Sequence, residues 1–236
     1  MVNRISYISH RQAARVAGTA ILIMAVLAGF AYGYVLNSMI VPGNANSTVN
    51  NIIASELLFR AAIFSFLIVL ICDVVTAWAL YIFLKQVNQS LSLLTAWLRL
   101  IYATILGTAI LNFVIVLLLI SGTDNLKVFE STQINALVLL FLKVFDGIWS
   151  IGLVVFGCHL FVLGYLSFKS GYIPKFFGVL LIVASLCYFL NNSASLLISS
   201  YERYKGTVES ILSVPMIIGE LGFGLWLLFK GGKVTG

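Results

Sequence analysis

Four ionisable residues stand in the middle of long apolar runs: Asp73, Arg99, His159 and Glu220. In hydrocarbon such groups cost several kcal/mol unless they pair or face a wet cavity. Their chemistries are complementary. The guanidinium fork of Arg99 matches the carboxylate of Asp73, and a carboxylate at Glu220 can orient the imidazole of His159. Asp73 with Arg99, and His159 with Glu220, are therefore the two candidate pairs. Three kinds of work are open to them. They can bind a small solute, a lipid-soluble molecule or a proton, they can perform acid–base chemistry on a lipid-like substrate, or they can hold helices in register. Binding or transport is the leading expectation, ahead of an accessory role with a structural polar core and of an intramembrane enzyme.

Depth supports treating the four as one group. At about 1.5 Å per residue, Arg99 lies roughly 16 Å from its inner helix end, His159 roughly 18 Å, Glu220 roughly 15 Å and Asp73 roughly 22 Å. Four helices thus place four ionisable side chains within about 7 Å of one level.

The elements that carry them follow from composition. Of 236 residues, 61% are hydrophobic and 9% charged, and the mean hydropathy is +1.07. Soluble domains carry about 25% charged residues, so this chain suits a lipid-facing surface. An all-α integral membrane bundle of six spans is expected, built as one domain over residues 1–236. The spans run about 16–40, 61–84, 94–120, 147–168, 175–198 and 211–229, each near the roughly 20 residues that a 30 Å hydrocarbon core requires. Pro42-Gly43 ends the first, Ser121-Gly122-Thr123-Asp124 ends the third, and Pro174 opens the fifth. An amphipathic lead-in, Ile52 to Arg60, precedes the second span, where an extra interfacial or re-entrant helix is possible. The fourth is preceded by an apolar stretch, Ile134 to Phe145. Straight helix from Ile134 to Phe168 would run on the order of 50 Å, too long for one perpendicular crossing, so either the helix tilts strongly or, as the favoured expectation, it breaks near Asp146-Gly147 and Ile134 to Phe145 forms a separate interfacial or re-entrant segment. The basic start followed by an apolar run is read as a retained first helix, since the run exceeds a signal-peptide h-region.

Charge sets the orientation. With the N-terminus inside, the inner segments hold Arg4, Arg11, Arg15, Lys85, Lys169, Lys175, Lys230 and Lys233 and no acidic residue. The outer margins mix Arg60, Lys127, Lys143, Arg203 and Lys205 with Glu56, Asp124, Glu130, Glu202 and Glu209. This bias predicts cytoplasmic N- and C-termini in a multi-pass cell-membrane protein. Trp97 and Trp226 on the inner side and Trp149 on the outer side fit interfacial belts. The net charge of +6 is used at helix ends, with no nucleic-acid motif, so the expected partner is the lipid bilayer.

Other patterns carry less. Gly29-x-x-x-Gly33 is a possible close-packing face, which leaves oligomerisation open. Asn112, Asn191 and Asn192 either line an outer vestibule or bond between helices. Cys72, Cys158 and Cys187 lack redox or zinc spacing and read as inert. His10 precedes the first span, so no histidine pair can clamp a haem, and Arg99 would repel a metal from Asp73, His159 and Glu220. Neither a metal nor another cofactor is expected. Acyl-transfer and zinc-protease motifs are missing.

Several segments resemble a bacterial and archaeal membrane family, domain of unknown function family 4386. They are Ile40-Val41-Pro42-Gly43, Ala54 to Arg60, Cys72-Asp73-Val74, Leu84 to Leu91, Phe156 to Tyr165 with Ser170 to Pro174, and Gly219-Glu220-Leu221. The resemblance runs from about Ala13 to Lys230. It implies a multi-pass membrane fold and a prokaryotic source, places Asp73, His159 and Glu220 within family-like motifs, and implies no activity.

Overall fold

The computed structural model describes residues 8–122 and 128–232. Arg4, Thr123, Asp124, Lys127 and Lys233, and the side chains of Glu202 and Lys205, fall outside the described residues. Among the described residues, apart from a short 3-10 turn at Tyr201–Arg203, seven helices make up the fold: α1 (His10–Met39), α2 (Ala45–Ala54), α3 (Glu56–Leu84), α4 (Gln89–Ile120), α5 (Ser131–Lys169), α6 (Lys175–Leu197) and α7 (Lys205–Phe229). All but α2 are long and apolar enough to cross a membrane. No strand occurs among the described residues. The architecture is an all-α bundle of the multi-pass membrane type.

Local chemistry sets the helix ends. Ser9 and Gln12 form a capping box at the start of α1, and Glu130 and Gln133 form one at the start of α5. Asn44 and Asn88 accept from the backbone N–H groups of Ser47 and Leu91, capping α2 and α4. These side chains satisfy donors that a helix N-terminus leaves free. Between α5 and α6 the turn needs a left-handed residue, and Gly171 supplies it at φ +73° without the Cβ clash other residues meet.

The six long helices form a ring. Each packs on the next long helix in the chain, and α7 closes onto α1. Close approach depends on glycine, as expected where burial from water does not drive helix association. A Cβ on Gly18 would lie 2.6 Å from the Gly224 carbonyl oxygen and 2.6 Å from the Leu228 nitrogen, so α1 and α7 touch backbone to backbone there. Gly164 and Gly178 bring α5 and α6 together in the same way, each 2.9 Å from the other's carbonyl oxygen by the same measure. At this end of the ring the His10 Nε2 and the Tyr172 hydroxyl both bond the Phe83 carbonyl at 2.8 Å. Arg11 donates to carbonyls at the end of α7, including those of Leu228 at 2.9 Å, Phe229 at 3.0 Å and Gly231. These are carbonyls that a helix C-terminus leaves unpaired.

The other end of the ring is built differently. From Gly29 to Leu36, α1 widens into a π-helix. There it packs on α3, while the ring-closing contacts with α7 belong to the earlier stretch, His10–Ala28. Phe59, Phe66, Phe113, Phe145 and Trp149 fill the space between α3, α4 and α5, with Phe113 and Phe145 stacked at 4.1 Å.

One expectation is corrected and two are refined. No break occurs at Asp146-Gly147: α5 is one helix of 39 residues, about 58 Å long. Its early turns bury Val138, Leu142 and Phe145 at helical spacing, and Asn135 bonds Asn46 of α2 at 2.7 Å. A covered apolar stripe keeps those turns helical, so the stretch before the fourth span is neither re-entrant nor a separate segment. Before the second span an extra helix does occur, α2, and the non-helical backbone of Ser55 (φ −131°, ψ 40°) separates it from α3. Within the chain Gly29 and Gly33 pack against no neighbouring helix, because a Cβ on either would meet nothing within 4 Å.

Candidate functional site

Arg99 occupies the middle of α4 and is 3% exposed. Its Nε and Nη2 both donate to Oδ1 of Asp73, at 2.9 Å and 2.7 Å. Its Nη1 lies 3.1 Å from His159 Nε2, and its Nη2 also reaches the Met24 sulfur at 3.8 Å. The guanidinium carbon stands 5.3 Å from the centre of the Phe156 ring, a cation–π distance. One arginine thus ties together α1, α3 and α5.

The state of the imidazole follows from its partners. His159 Nδ1 lies 2.9 Å from the carbonyl oxygen of Thr95. A carbonyl only accepts, so Nδ1 carries the proton. Arg99 only donates, so Nε2 is the acceptor. His159 is the neutral Nδ1–H tautomer, completely buried.

The sequence-derived pairing is thus half realised. Asp73 and Arg99 meet as an ion pair. His159 and Glu220 do not pair: the histidine joins Arg99 instead, and Glu220 accepts from the Tyr188 hydroxyl at 2.6 Å. Glu220 is half-buried, and no salt bridge reaches it among the described residues. Helix rotation decided this, which depth alone cannot specify. His159 faces α4, whereas Glu220 faces the centre of the ring.

That centre holds a cavity of about 490 Å³. All six long helices line it. From α1 come Met24, Gly29, Tyr32 and Gly33, from α3 Val69 and Asp73, from α4 Arg99 and Tyr102, from α5 Trp149, Leu153 and Phe156, from α6 Tyr188, and from α7 Ile217, Glu220 and Leu221. Its volume falls within the usual range for small-molecule sites, roughly 300–1,000 Å³, and an apolar wall with a few polar groups is their usual make-up. Asp73 has one unused acceptor here: Oδ1 takes both arginine bonds, and buried Oδ2 has no hydrogen-bond partner. Such a group is rare and costly unless something else satisfies it. Three of the four sequence candidates line the cavity, while His159 stands behind Arg99.

Sequence reasoning missed the aromatic wall. Trp149 faces inward: its ring meets Tyr32 at 4.9 Å, and its Nε1 donates to the Tyr102 hydroxyl at 3.3 Å. Trp226 likewise packs inside, against Phe83, Phe177 and Phe223. Trp97 alone of the three is exposed. Tyr102 and Phe156 had a signal, since each lies three residues from a candidate (Arg99 and His159) and so on the same helix face. Tyr188 had none. The three asparagines line no vestibule: Asn112 and Asn192 bond carbonyls of their own helices, and Asn191 accepts from Tyr201.

The model of the family described as domain of unknown function 4386 matches residues 16–231. An uncharacterised protein of Archaeoglobus fulgidus is 32% identical over 168 residues, covering 71% of this chain and 82% of its own length. No solved structure matches. The chain belongs to the family of domain of unknown function 4386.

Proposed function

We propose that this protein binds a small lipid-soluble molecule in the cavity at the centre of its helix ring, within the cell membrane. The cavity carries the reading, since all six helices leave the same space open beside buried polar groups. Its rim supports entry from the bilayer. Gly29 and Gly33 on one side face open space, and Ile217 on the other is 54% exposed. A lipid-soluble molecule thus has a sideways path between α1 and α7. Orientation belongs to the same reading: the ring end that gathers His10, Arg11, Arg15, Lys85, Lys169, Lys175 and Lys230 is the cytoplasmic one, by the bias of lysine and arginine.

The second reading, a structural polar core, is favoured by how fully Asp73, Arg99 and His159 engage one another. A core that only fixed helix register would have no use for the space beside it.

Photolabelling of the purified protein with azioctanol, a diazirine alcohol, tests the proposal. Adducts mapped by mass spectrometry are expected on Tyr102, Tyr188 or Glu220. Gly33→Phe, which fills the cavity from a position where a Cβ meets nothing, is expected to abolish them. Adducts confined to outward-facing residues, or unchanged by Gly33→Phe, would overturn the reading.

A further inference from the structure

From the charges around the cavity, we infer that its occupant is a small lipophilic organic cation, held by Glu220 and the aromatic wall. The inference rests on the binding reading above and narrows it. Three charged side chains line the space: Asp73, Arg99 and Glu220. The first two cancel, in contact at 2.7 Å, and His159 is neutral by its hydrogen bonds. Glu220 is left over. Its Oε1 takes the Tyr188 hydroxyl, while Oε2 takes no hydrogen bond among the described residues. An occupant therefore meets one carboxyl group that no basic side chain among the described residues balances.

The surroundings fit an organic cation better than an anion or a metal ion. An anion would face Glu220 and Asp73, while Arg99 already commits Nε, Nη1 and Nη2 to partners. A hard metal ion wants about six oxygens, whereas most of the wall is carbon. Tyr32, Tyr102, Trp149 and Tyr188 present aromatic rings, whose quadrupoles attract a cation, more strongly where water is excluded. Phe156 is already taken on one side by Arg99.

The test compares benzyltrimethylammonium with neopentylbenzene, the same shape with carbon in place of the charged nitrogen. Each is titrated into purified protein in lipid nanodiscs by calorimetry. The cation is expected to bind about tenfold or more tightly than the neutral isostere. Glu220→Gln is expected to weaken cation binding about 10- to 100-fold and so to erase most of the cation's advantage over neopentylbenzene. If both probes bind equally, or Glu220→Gln leaves the cation unaffected, the cation inference fails while cavity binding stands. Should neither bind, both readings fail together. A measurement on the unaltered chain guards against misfolding of the variant. Benzyltrimethylammonium is expected to protect Glu220 from dicyclohexylcarbodiimide, read from the mass of its peptide, and absence of protection counts against the inference.

Discussion

The two halves of α1 solve opposite problems with the same residue type. Gly18 removes a side chain so that backbone can meet backbone, and a Cβ there would collide with Gly224 and Leu228. Gly29 and Gly33 remove side chains so that nothing is met at all. The first closes the ring and the second, on a π-helical stretch, leaves it open. A wide turn is a frequent mark of a functional site within a helix, and here it coincides with the cavity wall. Glycine in a membrane helix thus signals either tight packing or deliberate space, and only the neighbour tells which.

Arg99 sits where the two halves meet, beside Met24, and breaking it tests the contrast most severely. Arg99→Met strands a buried carboxylate at Asp73, so a loss of about 3–5 kcal/mol is expected. Chemical unfolding in detergent measures it. Asp73→Asn with Arg99→Gln is expected to regain much of that loss, since no charge is left alone, and a double variant no better than the single would show the pair is not the unit.

Gly18→Leu comes next. Backbone atoms at 2.6 Å cannot yield as a flexible side chain would, so about 1–3 kcal/mol or more should be lost. Gly33→Phe, a larger side chain, is expected to cost far less. If thermal unfolding ranks the two the other way, the contrast between the halves is wrong.

Smaller effects sharpen the picture. Tyr188→Phe removes the hydroxyl that bonds Glu220 and should cost about 1 kcal/mol, visible as a modest shift in the unfolding midpoint. Gly29→Ala should be neutral or stabilising by up to about 1 kcal/mol, because alanine favours helix and has room there. A large loss at Gly29 would mean that the π stretch itself depends on glycine.

Much of this was legible in advance for identifiable reasons. Six spans follow from apolar runs that hydrocarbon demands, and helix ends from Pro42-Gly43, Ser121-Gly122 and Pro174. Asp73 with Arg99 was legible because consecutive antiparallel helices share a level. The continuity of α5 was not, since length was weighed against bilayer thickness while its early turns are covered by α2, an element placed by tertiary packing. For Trp149 the level along its helix is legible, but the direction it faces is not. The same limitation separated His159 from Glu220.

By itself the sequence determined the class, the number of long helices and the level of each costly residue, because transfer into hydrocarbon depends on composition and helix rise is fixed. Only the tertiary structure decided which faces turn inward. Rotation about each helix axis is set by the summed packing of all six, through contacts such as Gly18 on Gly224 and Gly164 on Gly178. That rotation engages Asp73, Arg99 and His159 with one another, and leaves Glu220 facing an open space.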